Sequence, residues 1–128
     1  MLMPPIARYM TSQPWTVQPG ASLAAARDLM REHAVRHLPV VDDGELVGIV
    51  SDRDLRMPWH GLGLRVRDVM TEQVLAVRPD APVDEVAEAM SERKYGSAVV
   101  VETGKVLGIF TSVDACRVLA DTLRRAVA

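Results

Sequence analysis

Two short stretches of the chain pair a hydroxyl with a carboxylate at three-residue spacing: Ser51-Asp52-Arg53-Asp54 and Thr111-Ser112-Val113-Asp114. Each stands where an apolar extended run gives way to a helical pattern, which puts hydroxyl and carboxylate on one side of a helix's first turn. A carboxylate placed there can accept both hydroxyls of a vicinal diol, and the free N–H groups of the turn attract an anion. The same spelling is also a plain capping box, in which the two side chains close the helix's own first amides. Recurrence does not decide between these readings, because caps recur along with the fold. Aspartate is a poorer box partner than glutamate at that position, which favours binding.

Other chemistry finds little apparatus. His33 and His37 are four apart, a zinc spacing only when both lie on one helix, and the helical pattern ends near Ala34 with no further Cys or His close by. No nucleophile with a spaced histidine, no Walker sequence and no dinucleotide fingerprint occurs, so no catalytic or metal residue is assigned and no cofactor is required. The 128 residues carry 15 Lys and Arg against 17 Asp and Glu, a formal charge of −2, without a basic block for nucleic acid. Five aromatic residues of the Phe, Tyr and Trp types are too few for base-stacking platforms. Cys116 is the only cysteine and sits among Val113, Leu119 and Ala120, the context of a buried small hydrophobe in a reducing, cytoplasmic protein. No apolar run has the length of a signal peptide or a membrane span.

The elements that position the two motifs are written twice. Ile6 to Leu55 lays over Val66 to Ala115 without a gap at an offset of 60 residues, pairing Met10-Thr11 with Met70-Thr71, Pro19 with Pro79, Met30 with Met90, Gly48-Ile49 with Gly108-Ile109, and Asp54 with Asp114. Each copy reads as an apolar helical turn, a brief extended piece (Thr16-Val17; Ala76-Val77), an amphipathic helix, two strands joined by a polar-Gly turn, and a closing helix. Pro82 suits a first helical position. The fold class is α/β of the α+β type, two β-α-β-β-α repeats: residues 1–57, a linker over 58–65 marked by Pro58, Gly61 and Gly63, and residues 66–128.

With Met10-Thr11, Val17-x-Pro19, His37-Leu38-Pro39-Val40-Val41-Asp42 and Leu46-Val47-Gly48-Ile49-Val50-Ser51-Asp52-Arg53-Asp54-Leu55, echoed by Val69-Met70-Thr71 and Val106-Leu107-Gly108-Ile109-Phe110-Thr111, the chain resembles the cystathionine-β-synthase-type (CBS) domain family over nearly its whole length. The resemblance implies a tandem CBS pair, or Bateman module, whose repeats pack with pseudo-two-fold symmetry and bind AMP, ADP, ATP, S-adenosylmethionine or NAD-type ligands in the clefts between them. It implies that Asp54 and Asp114 accept from ribose hydroxyls, and that Ser51 and Thr111 contact phosphate. It places Thr16, Val17, Ala76 and Val77 at the adenine edge, with His37, Pro39, Ser97 and Ala98 flanking the base and Arg36 and Arg53 near phosphates. Val17, Leu38, Val77 and Val99 read equally well as core. The second repeat has Gly96-Ser97-Ala98-Val99 where the first has Arg36-His37-Leu38-Pro39, so unequal sites are expected, the first favouring phosphate-rich ligands.

The last helix carries Val113, Cys116, Leu119, Ala120 and Leu123 on more than one side, and the resemblance implies a homodimer through such helices. The expected role is a regulatory sensor that catalyses nothing and passes its signal to a separate effector protein, without nucleic acid or membrane. The competing expectation is a ligand-free dimeric scaffold whose clefts are vestigial.

Overall fold

The computed structural model describes residues 2–56 and 62–128. A 3-10 turn, Ile6–Arg8, leads into a two-residue strand, β1 (Thr11–Ser12). Helix α1 (Leu23–His33) starts at Ser22, whose hydroxyl accepts from the Ala25 amide at 3.0 Å, and stops at Ala34, which turns left-handed at φ 53°. Strands β2 (His37–Asp42) and β3 (Glu45–Ser51) form a hairpin, and the short helix α2 (Asp52–Leu55) follows. Asp43 and Gly44 in that hairpin have φ of 51° and 82°, the positive values at both central positions that a tight two-residue turn requires.

The second half repeats the plan. Helix α3 (Val66–Val69) and strand β4 (Ala76–Val77) precede helix α4 (Val83–Arg93). Strands β5 (Ser97–Glu102) and β6 (Lys105–Thr111) follow, and α5 (Ser112–Val127) closes the chain. Pro82 is the N-cap of α4 and not its first residue, because its ψ of 134° is extended although its φ of −62° suits a helix. Pro58 and Gly61 of the expected linker lie outside the described residues.

Two compact units result. One gathers Met1–Gln13, Leu75–Thr103 and Leu107–Ala128, and the other gathers Pro14–Val74 and Gly104–Val106. We call them unit 1 and unit 2. In unit 1 the sheet order is β1-β6-β5-β4, with Thr11 antiparallel opposite Ile109 and Val77 parallel beside Val100. In unit 2, β2 and β3 pair with a bulge between Val40 and Val41, and single bridges add Val17 beside Val40 and Thr71 opposite Ile49. The lead segment of each repeat therefore belongs to the compact unit built from the other repeat.

The exchange is reciprocal down to single bonds: the Ile6 amide donates to the Ala81 carbonyl at 2.7 Å, and the Val66 amide to the Ala21 carbonyl at 2.9 Å. Two glycines make room for it. A Cβ on Gly48 would stand 2.9 Å from the Thr71 carbonyl oxygen, and one on Gly108 2.9 Å from that of Thr11. Ile6 is fully buried with Val86, Ala98 and Phe110, and Val66 with Ala26, Leu38 and Val50. Cys116 is exposed, contrary to the expectation of a buried hydrophobe, because α5 turns Ala115 and Val118 to the core and leaves the neighbouring stripe in solvent.

Candidate functional site

In unit 2 the end of β3 delivers Ser51 to the N-cap of α2. The Ser51 amide donates to Asp54 Oδ2 at 2.8 Å and its hydroxyl donates to the same oxygen at 3.1 Å, while the Asp54 amide donates to Ser51 Oγ at 3.3 Å. The capping box is thus formed in full. Around it the sheet register sets His37 opposite Ser51, and the Asp52 amide donates to the Arg36 carbonyl at 2.9 Å. Arg36, His37, Ser51, Asp52 and Asp54 are thereby gathered at one end of the β2–β3 hairpin.

The charges there act on one another. Burial pushes the His37 imidazole below its ordinary value, against the opposing pull of Asp52 and Asp54, and Arg36 adds to the lowering. For Asp52, burial pushes the carboxyl up. The Arg56 hydrogen bond and charge, with help from the Arg53 amide and from Arg36, outweigh that and leave it below the usual carboxylate range. Arg53 itself is exposed.

Val17 is buried, and both of its backbone groups serve the sheet: its N–H donates to the Pro39 carbonyl at 3.1 Å and its C=O accepts from Val41 at 2.9 Å. Thr16, beside it, is exposed. Pro39 and Leu38 are buried in the core of unit 2.

In unit 1, Thr111 and Asp114 repeat the box. Asp114 Oδ2 accepts from the Thr111 amide at 2.9 Å and from its hydroxyl at 3.2 Å, and the Asp114 amide returns a bond to Thr111 Oγ1 at 3.3 Å. Asp114 is only 6% exposed, and its other oxygen also accepts from the Thr11 hydroxyl at 3.3 Å and pairs with Arg117 at 3.4 Å. Ser97 and Ala98 are buried at the start of β5, Ala76 is exposed, and Val77 is half-buried. The Ser112 amide donates to the Gly96 carbonyl at 3.1 Å, so glycine backbone stands where unit 2 presents Arg36.

Thr11 is the site neighbour that sequence reasoning missed. The match of Met10-Thr11 to Met70-Thr71 signals that the segment matters, but not that it crosses to the other repeat's sheet. His33 stacks on Trp15, ring centroids 3.6 Å apart and 9° from parallel. Among the described residues no group of three or more His, Cys, Asp or Glu gathers as a metal set, and no helix is long and apolar enough to cross a membrane.

Comparison with known proteins bears on the family and the fold. The family model described as CBS domain matches residues 6–57 and 66–121. The solved CBS domain pair of protein MJ0100, in complex with 5′-methylthioadenosine and S-adenosyl-L-methionine, is 29% identical with a TM-score of 0.88, over 94% of this chain and 99% of that one. CBSX2 of Arabidopsis thaliana, solved in complex with AMP, is 32% identical with a TM-score of 0.82, over 92% of this chain and 97% of that one. Among curated proteins, the inosine-5′-monophosphate dehydrogenase of Korarchaeum cryptofilum is 39% identical over 100 residues, 77% of this chain but 21% of the enzyme. This and two further curated relatives are matched over only 21 to 36% of their own length.

Proposed function

Because the chain belongs to the CBS-domain family, we propose that it is a regulatory module that binds an adenosine-containing ligand, AMP, ADP or ATP in the first place and S-adenosylmethionine or an NAD-type molecule as alternatives. Asp54 takes the ribose hydroxyls, Ser51 and the first amides of α2 face the phosphate, and Arg36 and Arg53 supply positive charge. Thr16 and Val17 border the adenine, with His37 and Pro39 beside it. Val17's own N–H and C=O are already committed to the sheet, which leaves Thr16 to meet the base edge.

Asp114 with Thr111, Ala76, Val77, Ser97 and Ala98 forms the weaker counterpart, since Gly96 and Val113 stand where the first site has Arg36 and Arg53. The observation that carries the reading is the placement of each hydroxyl–carboxylate pair at a strand-to-helix junction, in a chain similar to proteins solved with AMP and with S-adenosyl-L-methionine. The module works as a cytoplasmic homodimer without catalysis of its own, and ligand binding shifts its population toward the geometry that a separate effector protein recognises.

A second reading has support of its own: both capping boxes are closed, as a ligand-free scaffold would have them. Thermal melting with AMP, ATP, S-adenosylmethionine and NADH separates the two. A ligand at about a hundredfold its dissociation constant adds roughly 2.7 kcal/mol, a rise of several degrees. Asp54→Ala is expected to lose most of that rise and Asp114→Ala less. A wild-type chain indifferent to every ligand leaves the scaffold, and an Asp54→Ala variant that responds in full removes this site.

A further inference from the structure

Between α1 and α2, unit 2 contains a cavity of about 280 Å³ whose walls carry Arg27 and Arg31 from α1, Arg36 ahead of β2, and Asp52 and Arg56 from α2. Met30 and Leu55 give it an apolar floor. Ser51 and Asp54 are not among its walls, and of the residues assigned to the adenosine site only Arg36 borders it as well.

Four arginines and one carboxylate therefore line one pocket. Two are tethered: Arg27 donates to the Leu55 carbonyl at 2.7 Å, and Arg56 donates to Asp52 at 2.8 Å. Among the described residues Arg31 pairs only with Asp28, 3.8 Å away between two exposed side chains, and Arg36 makes no ion pair. Arg27 and Arg31 are also like charges one helical turn apart, a mildly unfavourable pairing.

The duplicated fold supplies its own control. Sixty residues on, the counterparts of Arg27, Arg31, Arg36, Asp52 and Arg56 are Ala87, Ser91, Gly96, Ser112 and Cys116, whereas Met30 remains Met90. Unit 1 builds the same helices and hairpin with none of these charges, so the fold does not require them.

We propose that this cavity binds a compact phosphate-type anion, one or two phosphoryl groups in size. Arginine forks match phosphate oxygens in pairs. The site goes beyond the adenosine reading, and the variant that tests it leaves the shared Arg36 in place. The anion is either free inorganic diphosphate or the terminal phosphates of a nucleotide.

Calorimetric titration of the full chain at physiological ionic strength, with inorganic diphosphate, adenosine and ATP in separate arms, tests this. Diphosphate is expected to saturate at one equivalent per chain. Arg31→Ser combined with Arg56→Gln, melting like wild type, should weaken diphosphate roughly tenfold or more, through the loss of charge-assisted hydrogen bonds, and leave adenosine unaffected. Asp54→Ala should do the reverse. Diphosphate displaced by ATP identifies the nucleotide tail as the source, and simultaneous binding identifies a free anion. Absence of saturable diphosphate binding, an unchanged affinity in the double variant, or its loss in Asp54→Ala overturns the proposal. Failure of adenosine to bind while diphosphate does would overturn the adenosine reading alone.

Discussion

A carboxylate that caps a helix and a carboxylate that holds a diol need the same address, the first turn after a strand, and Asp54 and Asp114 stand at it as caps. The closed boxes stabilise the short α2 and the long α5 by tying amides that would otherwise be unpaired. Beside Asp54 stands a residue with a pH signature. His37 has its folded value below 6.5, chiefly through burial, so between that value and 6.5 the unfolded chain binds more protons than the folded one. Stability from neutral His37 is fully present above 6.5 and is lost as pH falls through the window beneath it. The melting temperature of wild type is expected to fall from about pH 7.5 to about pH 5.5 by more than that of His37→Gln. Equal slopes would remove His37 as a contributor. The hydroxyl–carboxylate spacing that marks these residues was legible in the sequence because it is local. The Thr11 bond to Asp114 was not, because a contact between residues 103 positions apart leaves no periodic trace.

Elements were legible where their ends carry their own chemistry. The Asp43-Gly44 and Thr103-Gly104 turns, and Ser51 and Thr111 at strand ends, each fix a boundary through a hydrogen bond or a positive φ. Cys116 shows the limit, since a helix with apolar residues on several sides does not announce which side its own core will take. In α5, Ala115 and Val118 face the core, and Val113, Leu119, Leu123 and Val127 are all more than half exposed. An apolar stripe of that length on a charged helix fits an isologous contact with a second copy. Sedimentation equilibrium is expected to give twice the 14.0 kDa chain mass for wild type. Leu119→Glu combined with Leu123→Glu should give the single-chain mass with the helical circular dichroism retained. A wild-type monomer at micromolar concentration would disprove the dimer.

At the scale of the whole molecule, duplication and compactness follow different boundaries. The repeats are contiguous in sequence, yet Ile6 is buried in unit 1 with residues of the second repeat, and Val66 in unit 2 with residues of the first. Gly48 and Gly108, which match across the repeats, are the trace this crossing leaves in the sequence, since each makes room for the other repeat's Met-Thr segment. The consequence is energetic. Shortening Ile6 removes buried methyl groups from a unit whose remaining residues begin at Leu75, so Ile6→Ala is expected to cost about 2–5 kcal/mol, felt in β5 and β6. Native-state hydrogen exchange of those strands should accelerate accordingly, while Val66→Ala should place a smaller loss in β2 and β3. Were Ile6→Ala to leave the β5 and β6 amides as protected as in wild type, the N-terminal segment would be an ornament of unit 1 and not part of its core.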